Sequence, residues 1–444
     1  VNATETAAAV RAGTTSARAV VDATLARIAV ENPDLNAFTS VLPRRAVERA
    51  EAIDAAIAAG TDPGPLAGVP FAAKNLFDVA GIVTRAGAKV TAGDPPAVSD
   101  ADAIVALERR GAILVGLTNM DEFAYGFVTE NAHDGPTHNP HDLARIAGGS
   151  SGGSASAIGG GLVPLALASD TNGSIRVPAA LCGIFGIRPT FGSVSRRGAY
   201  PFVDSLDTVG PLTRTAADLS AAYGALDPHF VPLGGSRSWR CARLGGYFDE
   251  GMLPEARAAV DAVCSELGAT DLVEIAHARQ AREAAFLITA AEGGALHADR
   301  LRTRADAYDP ATRDRLIAGA LMPASWYLRA LRFQSSFAAE LAASFASYDV
   351  LVAAATPYAA PRIGQRTIVI DGLETEIRPN LGVFTQPITL AGVPVVSVPV
   401  VAAGELPVGV QLIGRPGSEN LLLAVAEDLE RRGVVGAVPP RVPA

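Results

Sequence analysis

Gly148-Gly149-Ser150-Ser151-Gly152-Gly153-Ser154, followed shortly by Ser169-Asp170-Thr171-Asn172-Gly173-Ser174-Ile175-Arg176-Val177-Pro178, are the stretches on which the fold turns. Alone, a Gly/Ser run suggests a flexible surface loop. Its neighbours argue otherwise: an Ala-rich helix (Ala155 to Gly159) and an apolar strand-like run (Leu162 to Ala168) follow at once, which predicts that the run sits inside the core. A phosphate cradle is a second reading, but the Gly-x-x-x-x-Gly-Lys-Ser/Thr spacing is absent and no Lys follows the glycines. A third reading is hydrolysis by serine. Backbone N–H groups of Thr171, Asn172, Gly173 and Ser174 can converge on one point, as a developing oxyanion requires, with Ser174 as the nucleophile at the same turn. A serine needs a base. The six histidines are His133, His138, His141, His229, His277 and His297, and Ser174 is not framed by Gly-x-Ser-x-Gly. His138 and His141, three apart beside Pro140, read as loop residues, and a metal there would need further ligands.

Outward from this centre, helices and strands alternate. Residues 14–31 read as a helix that Thr15 or Ser16 can cap, and residues 44–59 as a second ending at Gly60. Pro65 to Lys74 leads into a short strand, with Lys74 an isolated cation at the end of an apolar run. An acidic-capped helix, Asp100 to Arg110, stops at Gly111, and Ala112 to Gly116 follows as a strand. Near the other end, Asp349–Ala354, Pro394–Val400 and Val408–Gly414 read as strands, with a closing helix over 418–431 capped by Ser418. This pattern predicts an α/β fold in which both ends of the chain join one mixed sheet covered by helices. Residues 253–345, rich in Ala, Arg, Glu and Leu, read as a helical region, either inserted over the sheet's active edge or as plain core helices. No linker marks a domain cut, so residues 1–444 are expected to form a single domain.

Composition narrows the function. The 444 residues are 49% hydrophobic and 19% charged, with a net charge of -9. This acidic balance argues against a protein that grips nucleic acid. Three cysteines, Cys182, Cys241 and Cys264, cannot all pair and read as free thiols in a reducing compartment. No start resembles a signal peptide, and the longest weakly polar run, Ile158 to Ala168, is about half a membrane span. A soluble, cytoplasmic protein is expected.

The two Gly/Ser stretches and the segment Pro70-Phe71-Ala72-Ala73-Lys74-Asn75 closely resemble the amidase signature family, over a signature core from about residue 65 to 215, with weaker similarity to the C-terminal strands and helix. The resemblance implies an α/β/α fold around a large mixed sheet and a Ser-Ser-Lys triad. Lys74 is then the base, Ser150 the bridging serine after a cis peptide bond, and Ser174 the nucleophile, 24 residues beyond Ser150. It implies no metal and no organic cofactor. The chemistry agrees. A lysine is a base only when neutral, and burial away from carboxylates lowers its pKa. No Asp or Glu follows Lys74 in sequence until Asp78.

Within the family, two groups look most similar: the carboxybiuret hydrolases of cyanuric acid breakdown and the amidase subunits of glutamyl-tRNA amidotransferases. Asn119-Met120-Asp121-Glu122-Phe123-Ala124-Tyr125-Gly126 and Ser205-Leu206-Asp207 are similar to both. Asn75 to Gly81, Thr137 to Ala144, Arg378-Pro379-Asn380 and Thr385-Gln386-Pro387 resemble the hydrolases. Asn172 stands where many relatives have glycine, and either directs a substrate amide or merely adopts a tight turn. A general small-amide amidase is a further alternative. For a small planar anion such as 1-carboxybiuret, Tyr125, Asn172, Arg378 and Gln386 are the candidate contacts, with Arg378 equally able to form a surface salt bridge. Both groups work with a small companion subunit, so a complex with a small helical protein, and a dimer of such pairs, is expected. Neither a nucleic acid nor a membrane is expected as partner.

Overall fold

The computed structural model describes residues 2–234, 238–400, 405–437 and 439. Eleven strands form one sheet: β1 (Phe38–Val41), β2 (Pro70–Lys74), β3 (Ile113–Thr118), β4 (Leu165–Asp170), β5 (Phe185–Arg188), β6 (Thr208–Thr213), β7 (Cys241–Leu244), β8 (Asp271–Val273), β9 (Val350–Ala354), β10 (Val395–Val400) and β11 (Val408–Ile413). Their spatial order is β1-β3-β2-β4-β6-β5-β10-β11-β9-β7-β8. β2 runs parallel to both β3 and β4, and β7 parallel to β9 and β8. The pairs from β4 through β6, β5, β10 and β11 to β9 are antiparallel, as is β1 with β3. The sheet is therefore mixed, as expected, and both ends of the chain contribute to it.

Every residue of β2, β3 and β4 is buried, because helices cover both faces. Side chains alternate between two cores. Phe71, Ala73, Leu114, Leu165 and Leu167 join one, with the helices Asp102–Arg109, Ala216–Leu226, Pro254–Leu267 and Glu419–Arg431. Ala72, Ile113, Val115, Ala166 and Ala168 join the other, with the helices Ala17–Leu35, Pro43–Ala58 and Gly152–Gly159. Small alanines on these helices permit close approach to the sheet.

Element boundaries differ from the sequence expectation for local reasons. The first long helix is capped by the Ser16 side chain, which accepts the Ala19 amide at 3.0 Å, and it runs on to Leu35, where Asn36 turns left-handed at φ 47°. Asp100 does not cap the helix after it. Its carboxylate binds Arg45 at 2.7 and 2.9 Å and accepts the Ala80 amide, so Ala101 holds the cap position. Ser418 holds the cap position of the last helix, as expected, but its hydroxyl donates to the Arg415 carbonyl at 2.7 Å and makes no capping hydrogen bond. β4 starts at Leu165, just after Pro164. Residues 253–345 divide their work. Pro254–Leu267 packs on the sheet and Asp271–Val273 extends its edge, while Ala278–Arg304 and Pro310–Ala320 wall the large cavity described below. Among the described residues, no helix is long and apolar enough to cross a membrane.

Candidate active site

The site lies at the C-terminal ends of the parallel strands β2 and β4, a common place for chemistry in α/β sheets. Lys74 is the last residue of β2 and is fully buried. Its Nζ lies 2.7 Å from Ser150 Oγ and 2.9 Å from Ser169 Oγ, the residue before the end of β4. Burial lowers the Lys74 pKa to about 7, against opposing fields from Asp121, Asp207 and Asp170. The expected direction holds, but the expected isolation from carboxylates does not. Three come close in space although none adjoins Lys74 in sequence.

The Gly/Ser run is buried throughout, and the Gly149–Ser150 peptide is cis. The amides of Gly152 and Gly153 are taken by Thr129 Oγ1 at 3.2 Å and the Asn119 carbonyl at 3.0 Å, so they are not free to hold a phosphate. Ser151 Oγ donates to the Ser169 carbonyl and Ser154 Oγ to that of Leu167, which ties the run to β4. At Gly149 a Cβ would collide with Asp121 Oδ2, so only glycine fits there.

The second stretch forms the turn between β4 and the short helix Arg176–Leu181. Its framework is Asp170, fully buried between Arg176, at 3.0 Å, and Arg188, at 3.1 Å. Burial works against the ionised Asp170, yet the two guanidiniums outweigh it and hold the carboxyl well below the usual range. The Arg188 guanidinium is pulled down to about 10 by burial, despite Asp170. Asp170 also accepts the amides of Gly173, at 2.8 Å, and Ile175, at 3.2 Å. The expected oxyanion set is corrected on this point: the Gly173 N–H is engaged by Asp170. Among the described residues, the amides of Thr171, Asn172 and Ser174 make no hydrogen bond and remain the available donors. Gly173 is still required as glycine, with φ 133° and a Cβ that would collide with Thr385 Oγ1. The Ser174 hydroxyl makes no hydrogen bond among the described residues and opens on a cavity of about 760 Å³. The contact between Ser150 and Ser174 is thus not a formed hydrogen bond in this structure, whereas that between Lys74 and Ser150 is.

Tyr125, Asn172, Arg378 and Gln386 all line the same cavity as Ser174. Tyr125 carries the Arg315 guanidinium 3.8 Å from its ring centroid, and its buried hydroxyl has no hydrogen-bond partner among the described residues. Asn172 Nδ2 donates to Thr289 Oγ1 at 2.8 Å. Gln386 Oε1 accepts from Arg282 Nε at 3.1 Å. Arg378 is half exposed at the rim and pairs with Glu130 at 3.6 Å, the salt bridge that the sequence left open for it. Sequence reasoning missed Arg282, Thr289 and Arg315, which reach the cavity from the helical region. Among the described residues, neither Arg282 nor Arg315 has a carboxylate within ion-pair distance, and burial lowers the Arg315 pKa. The wall also carries acids. Glu122 is held by His133 at 2.8 Å and by the Asp309 amide at 2.9 Å. Asp121 accepts the Thr129 amide at 3.0 Å. His138 bonds the Leu143 carbonyl and His141 that of Cys182. Among the described residues, no group of three or more His, Cys, Asp or Glu side chains is placed to hold a metal.

Comparison with known proteins adds the family. A family model described as Amidase matches residues 19–230 and 236–423. The chain belongs to the amidase signature family. It is 48% identical, over 96% of its length and 97% of the relative's, to AtzE of Pseudomonas sp. (strain ADP), a 1-carboxybiuret hydrolase subunit. It is 34% identical, over 95% of each chain, to a glutamyl-tRNA(Gln) amidotransferase subunit of Carboxydothermus hydrogenoformans. A solved structure described as an unexpected vestigial protein complex revealing the evolutionary origins of an s-triazine catabolic enzyme superposes with a TM-score of 0.95. It covers 99% of this chain and 100% of that one at 46% identity. The mixed sheet with helices on both faces is the architecture of this family, and the chain accordingly belongs to a family of amide-hydrolysing enzymes.

Proposed function

We propose that this amidase hydrolyses the terminal amide of a small anionic ureide, 1-carboxybiuret, with release of ammonia. The carrying observation is a buried lysine with a pKa near 7, 2.7 Å from Ser150, beneath a cavity that holds Ser174 and two guanidiniums without carboxylate partners. In this reading Ser174 attacks the amide carbon and its proton passes through Ser150 to neutral Lys74. The oxyanion is held by the amides of Thr171, Asn172 and Ser174. The leaving nitrogen takes the proton back through Ser150, and water then releases the acyl group by the same relay. Arg315, partly desolvated over Tyr125, and Arg282 supply the cationic field that a carboxylated substrate needs. The kinship with the carboxybiuret hydrolase relative supports the choice of substrate.

The same reading carries a small helical companion protein, a dimer of such pairs and a cytoplasmic setting. The vestigial complex described for the similar structure supports a companion. So do the exposed apolar side chains Ile317, Leu321, Trp326 and Leu328 on and between the helices Pro310–Ala320 and Ala324–Ser344. Three buried free cysteines are consistent with a reducing compartment. The test is ammonia release from carboxybiuret generated enzymatically in the assay, set against malonamate, glutamine and acetamide. A preference for carboxybiuret by at least tenfold in kcat/KM supports the reading. Preference for acetamide, or activity only with glutamine, ATP and aminoacylated tRNA, refutes it.

A further inference from the structure

We infer that Asn172 is a specificity-determining residue whose side-chain oxygen accepts an N–H adjacent to the scissile carbonyl, so that the site selects ureido chains over methylene chains. This deepens the ureide reading above and rests on it for the substrate class. Asn172 stands two residues before Ser174 and is 7% exposed. Its conformation is fixed from two sides. Thr385 Oγ1 donates to its carbonyl at 2.6 Å, and its Nδ2 is held by Thr289 Oγ1 at 2.8 Å. With the nitrogen engaged, Oδ1 is left as a buried acceptor with no partner among the described residues. Asn172, Thr289 and Ser174 share the wall of one cavity. The turn itself does not call for asparagine, because the Asn172 backbone is not among those with left-handed φ. A buried acceptor that stays unpaired penalises any substrate that brings no donor, and a CH₂ in place of N–H brings none. Thr289 is the positioning residue, since its hydroxyl accepts from Nδ2 in this structure and so leaves Oδ1 as the unengaged end of the amide.

The experiment compares two carboxylated substrates of equal length, N-carbamoyl-β-alanine, with N–H beside the scissile carbonyl, and glutaramate, with CH₂ there. The quantity read is the ratio of their kcat/KM values in each variant relative to wild type, in which intrinsic reactivity cancels. Asn172→Ala, with Asn172→Gly as a second variant, is expected to lower the ratio by about tenfold or more. Thr289→Val is expected to lower it in the same direction, and Thr289→Ser to restore it. Equal losses on both substrates in both Asn172 variants would overturn the proposal, as would Thr289→Ser behaving like Thr289→Val. If wild type leaves both carboxylated substrates intact yet cleaves neutral amides, the anionic reading fails. The same ratio is then taken on biuret against malonamide, where the tenfold change again decides for or against Asn172.

Discussion

Replacing Lys74 by methionine separates its chemical role from its structural cost. Lowering a lysine from 10.5 to about 7 means that charging it in the folded state costs about 5 kcal/mol more than in the unfolded chain. The group is fully buried, so solvent screening does not reduce this. Between about pH 7 and pH 10.5 the unfolded chain carries a proton on this lysine that the folded chain lacks. Stability from this group therefore rises with pH across that window, by up to about 1.4 kcal/mol per pH unit. Lys74→Met abolishes the effect. The variant also loses the bonds to Ser150 and Ser169, at about 1–3 kcal/mol for each buried hydroxyl left unpaired, but that loss does not depend on pH. The stability of wild type minus that of the variant is then expected to increase by about 3 kcal/mol between about pH 7 and pH 9.5. Urea unfolding followed by circular dichroism at both pH values reads it. The variant is expected to release no ammonia at any pH, while wild-type kcat/KM rises with pH through an apparent pKa near 7. A stability difference that stays flat across the window would mean that Lys74 keeps its proton in the folded protein. The base assignment would then lose its physical ground.

Ser174→Ala is expected to abolish labelling by a fluorophosphonate, read by intact mass, and to lower ammonia release by about 10³-fold or more; labelling that persists would place the nucleophile elsewhere. Asp170→Asn leaves Arg176 and Arg188 buried without their carboxylate, so chemical denaturation should show a loss of about 3–5 kcal/mol, and a near-neutral result would refute the role given to Asp170. Arg315→Met is expected to weaken glutaramate relative to neutral butyramide by about tenfold or more in kcat/KM, and an equal effect on both would remove Arg315 from carboxylate binding.

The part of the site that was legible in sequence is the part made by local motifs. Lys74, Ser150 and Ser174 sit in short runs whose residue types have few other uses, and the alternation of apolar runs with caps and glycines was enough for a helix-covered mixed sheet. What the sequence could not carry was adjacency. Lys74 meets Ser150 and Ser169 because β2 lies beside β4, with Phe71 opposite Leu165 and Ala73 opposite Leu167. That register is set by long-range pairing and leaves no mark near residue 74. The same limit hid Arg282, Thr289 and Arg315, which lie on helices of ordinary Ala, Arg and Leu composition. Nothing local distinguishes a guanidinium that turns inward over Tyr125 from one that turns to solvent. Arg378 was legible as a motif residue, and the structure gives it a rim salt bridge. Asp100 was misread as a cap because its carboxylate finds a stronger partner in Arg45 that sequence does not show, and Ala101 takes the cap position.

The carboxylates around Lys74 pose the remaining physical problem. Three negative charges near a lysine would ordinarily keep it protonated and useless as a base. Each is dealt with differently. Asp170 stays ionised, but its charge is met by Arg176 and Arg188, two permanent cations that also bond it directly. Asp207 is raised by burial, although Thr171 Oγ1, at 2.6 Å, and the amides of Phe202 and Val203, each at 2.9 Å, favour its charge. Asp121 is raised by burial too, against Arg378, the Thr129 amide and Lys74 itself. The Asp170 charge is thus met by paired arginines, and burial raises the pKa of the other two carboxyls as it lowers that of the lysine, with desolvation outweighing all three opposing fields at Lys74. The buried Arg176–Asp170–Arg188 cluster therefore does more than brace the turn that carries Ser174. Its two cations offset the Asp170 charge, the smallest of the three fields that oppose desolvation at Lys74, while holding the β4 turn one strand away from the base.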